Sequence, residues 1–128
     1  MNSFNHYSFG SVVEWMYRTL LGLDFDEENP GYRHMFIRPL PGGSLTWVRG
    51  TYRTMYGPVG IDWKLQGGKI HLVVEIPVNA EATVYVPTTD PSGLFEGGIP
   101  LRPIRSESGA AVVQVGSGTY VFEAPFVH

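Results

Sequence analysis

The stretch VGIDWKLQGGKIHLVVEI, residues 59–76, decides the fold. Ile61, Trp63 and Leu65 alternate with Asp62 and Lys64, and Ile70, Leu72, Val74 and Ile76 repeat the same spacing. Successive side chains of a strand point to opposite faces, so a period of two describes a half-buried strand, whereas a helix would space its apolar residues by three and four. Between the two runs stands Gln66-Gly67-Gly68-Lys69. Its Gly-Gly centre suits a tight hairpin turn. The reading is a β-hairpin of strands 59–66 and 69–76.

Outward from that hairpin the same period recurs. Further strands are expected at 35–38, 45–54, 82–86, 111–115 and 119–124. Gly116-Ser117-Gly118 is expected to punctuate a last hairpin. Residues 87–103 are rich in Pro and Gly and read as a long loop with at most a short strand. About seven or eight short strands separated by turn signals predict a mainly β chain folded as an antiparallel β-sandwich. No internal repeat is present.

Composition supports a globular body. The 128 residues are enough for one domain with a real core, and 43% hydrophobic against 16% charged residues excludes a disordered chain. The net charge is −3 and the nine basic residues form no cluster, which argues against nucleic acid as a partner. There is no cysteine, so disulfides and thiol chemistry are excluded, while the compartment stays open. Met1 is followed by polar residues without a basic n-region, so no signal peptide is expected. No apolar run approaches the roughly 20 residues that span a bilayer, and no membrane partner is expected.

The front of the chain is different. SVVEWMYRTLLG, residues 11–22, predicts a helix: Ser11 and Glu14 have capping-box spacing, Glu14 and Arg18 form a favourable i,i+4 pair, and Gly22 supplies the stop. Val13, Met16, Leu20 and Leu23 form one apolar stripe, but Val12, Trp15 and Leu21 spill well beyond it. A helix apolar most of the way round is buried on several sides, and one sheet covers only one of them. A neighbour is missing. Ahead of the helix, Phe4, Tyr7 and Phe9 suggest a packed segment in which Asn5 and His6 need partners. After it, residues 23–34 read as an acidic linker reversed at Asn29-Pro30-Gly31.

Candidate chemistry is sparse. Asp24, Asp26 and Glu28 mimic the opening of a calcium loop, but Asn29 replaces its glycine and Met35 its final glutamate. His34, His71 and His128 show no metal-ligand spacing, and no metal or cofactor is expected. His71, on the face opposite Leu72, is expected in solvent. Glu14 is accounted for by its capping position, and no pair of carboxylates stands out for glycoside hydrolysis. Trp47, Trp63, Tyr52 and Tyr56 could stack on sugar rings, although aromatics in alternating strands more often fill a core. There is no nucleophile elbow and no phosphate loop.

Several motifs together resemble the C-terminal end of bacterial α-L-rhamnosidases, glycoside hydrolase family 78. They are Asn2-Ser3-Phe4-Asn5-His6-Tyr7, the helix pattern from Gly10 through Tyr17, Pro30 through His34, and Ile37 through Gly43. Tyr56-Gly57 and Ala82-Thr83-Val84-Tyr85-Val86-Pro87 also fit. The resemblance covers residues 1 to about 87 well and the remainder loosely. It implies an (α/α)6 catalytic barrel followed by a jelly-roll-like β-sandwich, with residues 1–32 the end of the barrel and 33–128 the sandwich. It implies that His6 faces the sugar and that Asn5 helps hold its loop, and so names the missing neighbours of the helix. It implies an inverting hydrolase releasing terminal L-rhamnose, whose acid and base glutamates precede the Asn2–Tyr7 motif. On that reading the chain is a fragment with no catalytic residue of its own, inactive alone, bracing the barrel and meeting a rhamnose-containing glycan only through the parent enzyme. The isolated fragment is expected to form a homo-oligomer through the orphan helix. The alternatives are a stand-alone carbohydrate-binding module and a purely structural or oligomerisation domain.

Overall fold

The computed structural model describes residues 16–26, 34–42 and 44–127. Two sheets pack face to face. Sheet I has the order β1-β2-β6-β10-β9, from β1 (Leu23–Phe25), β2 (His34–Ile37), β6 (Glu81–Pro87), β10 (Ala110–Val115) and β9 (Arg105–Glu107). Sheet II has the order β3-β4-β5-β11-β7-β8, from β3 (Trp47–Thr54), β4 (Gly57–Gln66), β5 (Lys69–Ile76), β11 (Gly118–Pro125), β7 (Phe95–Glu96) and β8 (Ile99–Pro100). The expected β-sandwich is present, and every strand anticipated from the alternation exists.

The period-two pattern fixes which side chains meet between the sheets. Val59, Ile61 and Trp63 of β4, Ile70, Leu72 and Val74 of β5, and Phe122 of β11 are buried from sheet II. Met35 and Ile37 of β2, Ala82, Val84 and Val86 of β6, and Ala111 and Val113 of β10 oppose them from sheet I. All belong to one continuous apolar cluster. Burying a large side chain is worth about 1.5–3 kcal/mol, so these rows supply the main driving force for the fold. The Gly67-Gly68 turn has φ of +62° and +74°, the double positive φ that a type I′ hairpin requires, and it pairs Gln66 with Lys69.

Four features depart from the sequence reading. First, the antiparallel sandwich contains one parallel pair: β2 runs alongside β6, in register from His34↔Glu81 to Ile37↔Val84. The chain leaves sheet I after β2, makes the antiparallel meander β3–β4–β5 in sheet II, and returns to β2's free side in the same direction. Second, Gly116-Ser117-Gly118 does not close a hairpin. It carries the chain from β10 in sheet I to β11 in sheet II. Glycine punctuation signals a reversal but not which sheet the next strand joins. The Tyr120 hydroxyl ties this crossing, lying 3.1 and 3.2 Å from the Gly116 and Ser117 carbonyl oxygens.

Third, the loop of residues 87–103 holds two strands. A 3-10 turn, Pro91–Gly93, is capped by Asp90, whose carboxylate accepts from the Ser92 N–H. Leu94 then anchors the segment in the core, and the two-residue strands β7 and β8 extend sheet II beside β11. Fourth, the acidic stretch read as a linker contributes β1 to sheet I, pairing Leu23↔Ile37 and Phe25↔Met35. Leu23, read as part of the helix stripe, is therefore a buried strand residue.

The junction at Gly22 explains that change. Residues 16–21 are helical, and the Gly22 N–H bonds back to the Thr19 carbonyl. Gly22 adopts φ of +74°, and its own carbonyl accepts from the Arg38 N–H at 2.7 Å. The expected stop is thus observed, and it turns the chain directly onto the edge of β2. The earlier part of the expected helix, with Ser11, Glu14 and Trp15, lies outside the described residues. A Cβ at Gly22 would overlap the Arg38 carbonyl oxygen and stand 2.6 Å from its carbon, both of them backbone atoms. Gly22→Ala is therefore expected to lower stability by at least about 2 kcal/mol, from left-handed strain plus overpacking. Equilibrium urea unfolding measures this; an unchanged midpoint would show that the junction does not depend on glycine.

Candidate functional site

His6 and Asn5, the sugar-contacting residues implied by the resemblance, lie outside the described residues. Three other places gather chemistry-bearing side chains: the helix of residues 16–21, the outer face of sheet I, and the outer face of sheet II.

The helix rests against β3, an edge strand of sheet II. Leu21 is fully buried, and the Tyr17 hydroxyl accepts the Thr51 N–H at 3.0 Å. The approach is possible because β3 has glycine at position 50: a Cβ there would collide with the Tyr17 hydroxyl and come within 2.9 Å of Leu21 Cδ2. The adjoining face of the helix, about 100° round from Tyr17 and Leu21, is apolar and open. Met16 is 58% exposed and Leu20 50%. The sequence pattern therefore survives in the structure, with one face buried on the sandwich and the next at least half exposed.

On the outer face of sheet I, the parallel register of β2 with β6 brings His34 between Glu81 and Thr83. Nδ1 stands 3.2 Å from a Glu81 oxygen and Nε2 2.8 Å from the Thr83 hydroxyl. A carboxylate can only accept, so in the neutral imidazole Nδ1 carries the proton and Nε2 accepts from Thr83. Both ring nitrogens are engaged, and the ring also meets Phe36 edge-on at 5.1 Å. His34 clips β2 to β6; it has no free nitrogen to offer as a base. On the same face Tyr85 is buried beneath the Arg38 guanidinium, 4.0 Å from its ring centroid, and its hydroxyl accepts from Arg105 Nη2 at 3.3 Å. Glu107 lies 3.3 Å from Arg105 and 3.9 Å from Arg38, so these charges answer one another. Among the described residues no three His, Asp or Glu side chains converge as metal ligands. No helix among them is long and apolar enough to cross a membrane.

The aromatic residues of sheet II divide. Trp63 is buried, in phase with Ile61 and Leu65, while Tyr52 and Tyr56 are partly buried against the core. Trp47 is 64% exposed. The distinguishing signal was in the sequence: Trp47 directly precedes the inward Val48, and so has the outward phase. A shallow cleft of about 370 Å³ opens beside it, lined by Thr46, Trp47, Arg49, Asp62, Lys64 and Leu65. Arg49 pairs with Asp62 at 3.7 Å. Farther across the sheet, Lys69 donates to Glu123 at 2.8 Å, and that hydrogen bond holds the Glu123 carboxyl below its usual pKa. His71, expected in solvent, is only partly exposed, with Nδ1 3.6 Å from Glu123.

With this geometry in hand, comparison with known proteins is specific. The family described as bacterial alpha-L-rhamnosidase C-terminal domain matches residues 22–97, beginning at the Gly22 junction. An alpha-L-rhamnosidase of Streptomyces avermitilis is 40% identical over 128 residues, covering 95% of this chain and 12% of that protein. One from Formosa agariphila is 33% identical, covering 98% of this chain and 14% of that protein. The crystal structure of the Streptomyces avermitilis alpha-L-rhamnosidase complexed with L-rhamnose superposes with a TM-score of 0.78 over 96% of this chain and 12% of that one. The alpha-L-rhamnosidase from Dictyoglumus thermophilum gives 0.77 at 31% identity, over 96% of this chain and 14% of that one. This chain thus spans about an eighth of the length of these relatives, and it belongs to the bacterial α-L-rhamnosidase C-terminal domain family.

Proposed function

We propose that this chain serves as the C-terminal part of an α-L-rhamnosidase, with the sandwich bracing a helical catalytic barrel through the helix of residues 16–21. The observation that carries the reading is the breadth of the apolar surface of the helix. Leu21 is buried on β3 and Tyr17 is bonded to its backbone, while Met16 and Leu20 stand exposed on the adjoining face. A helix apolar over more than the face its own sandwich covers joins two hydrophobic masses, and the sandwich is one of them. The barrel supplies the other, in the segment that the resemblance assigns to residues 1–32. The described helix and its Gly22 junction are then the hinge post between catalytic and accessory domains.

On this reading the chemistry is inverting hydrolysis of a terminal L-rhamnoside, with two carboxylates flanking a water. Both carboxylates come from the barrel ahead of this chain. His6 exchanges a hydrogen bond with a sugar hydroxyl, and Asn5 holds the loop that presents it. The rhamnose-containing glycan is a partner of the assembled enzyme. Without the barrel, two chains cover each other's helices about a two-fold axis, the simplest way to bury a self-complementary patch.

Leu20→Glu tests the helix directly. In the full-length enzyme it is expected to lower Tm and activity together. In the 128-residue chain it is expected to leave the fold intact but convert a micromolar dimer into a monomer in sedimentation equilibrium. A full-length variant with unaltered Tm and activity would remove the bracing role. The 128-residue chain is also expected to show no hydrolysis of p-nitrophenyl α-L-rhamnoside; turnover abolished by a point substitution within residues 1–128 would place catalytic groups here after all. Finally, His6→Ala in the full-length enzyme is expected to reduce kcat/KM by about 1–3 kcal/mol of binding, the cost of a hydrogen bond lost in a desolvated site. Unchanged kcat/KM would make His6 a structural residue.

A further inference from the structure

We propose that the outer face of sheet II carries a second carbohydrate-docking surface, centred on Trp47 and suited to neutral pyranose rings. It rests on the family's carbohydrate chemistry and not on the placement of His6. Trp47 is the anomaly that leads to it. The other outward positions of β3 are Arg49, Thr51 and Arg53, the polar residues by which an edge strand keeps water and discourages further strand pairing. An indole 64% exposed in that row works against both ends.

The surroundings of the indole describe its occupant. The cleft beside it, about 370 Å³, is shallow and open, the form of a surface on which a ring lies flat. Its polar side is built from the Arg49–Asp62 pair and from Lys64, the cross-strand neighbour of Trp47. Arg49 and Asp62 answer each other and Lys64 adds a further cation, so the cleft offers both donors and acceptors. A protein partner would want a contiguous apolar patch, whereas here a single aromatic plane is ringed by charged groups. A pyranose ring meets these conditions: its axial C–H face lies on an aromatic plane, and its hydroxyls both donate to Asp62 and accept from Arg49 and Lys64.

The site also has an extension. In register, Lys64 faces His71, His71 faces Glu123, and Glu123 faces Phe95 on β7. One row of side chains therefore runs from Trp47 to a second exposed aromatic, Phe95, across four strand spacings, or about 19 Å. Two aromatic planes at the ends of a row of hydrogen-bonding groups suit a short oligosaccharide better than a single sugar.

The test uses the 128-residue chain, titrated with methyl α-L-rhamnopyranoside and with a neutral rhamnose-containing oligosaccharide, and followed by the indole N–H resonances of its tryptophans. Saturable shifts of the Trp47 resonance are expected, with tighter binding of the oligosaccharide. Trp47→Ala is expected to weaken binding tenfold or more at unchanged Tm, because the side chain packs against nothing in the core. Trp47→Phe is expected to retain part of the affinity. No saturable binding by the unsubstituted chain, or equal affinity in Trp47→Ala, would overturn the proposal. Loss in His6→Ala but not in Trp47→Ala would overturn it too, while leaving the proposed role of His6 standing.

Discussion

The structure depends on burying two sets of alternating side chains against each other. The inward rows of β4, β5 and β11 have no other place to go than the inward rows of β2, β6 and β10. With no cysteine and, among the described residues, no metal cluster to staple it, the chain relies on this apolar contact for its cohesion. Everything attached to the periphery is held by reference to that core. The helix leans on β3, the loop of residues 87–103 is pinned by Leu94, and the polar clusters lie on the outer faces of the same strands.

What could be read in the sequence follows from the same contact. Wherever one face of a strand is buried, the period of two is sharp, and strands such as β4 and β5 were plain from Ile61-x-Trp63-x-Leu65 and Ile70-x-Leu72-x-Val74. Strands of two or three residues carry no period, so β1, β7, β8 and β9 could not be seen. The choice of strand neighbours within a sheet was equally hidden. The alternation reports which face is apolar, but the choice of β6 as the parallel neighbour of β2 depends on where the chain goes during the intervening meander. The helix stop at Gly22 was readable because glycine has a local reason to be there, whereas the consequence of that stop, a strand beginning at the next residue, required the backbone of Arg38.

The candidate sites divide in the same manner. Motif resemblance pointed to His6 and Asn5, and neither periodicity nor composition could have done so. The outward phase of Trp47 was available from Val48 beside it, yet an aromatic in a strand gives no sign of its role until the neighbouring strands are in place. His34 shows the converse. A histidine with a carboxylate and a hydroxyl at its two nitrogens has the makings of a catalytic relay, but here those partners consume both nitrogens and join two strands. Polar convergence alone does not make a site; an unoccupied donor, acceptor or surface must remain.

The parallel pairing of β2 with β6 also has a consequence for the order in which the domain assembles. The β4–β5 hairpin closes through a two-residue turn and needs little loop entropy, so it forms early. The His34↔Glu81 register joins residues 47 apart and has no local turn to nucleate it. Sheet I is therefore closed onto a preformed β3–β4–β5 meander, and its closure, like the pairing of β5 with β11, carries a long-range share of the folding barrier. Until that step, the inward rows of the meander have nothing to cover them. The His34 clip across the pair thus fastens one of the long-range contacts of the domain, and the vulnerable interval of its life is the one before that fastening is made.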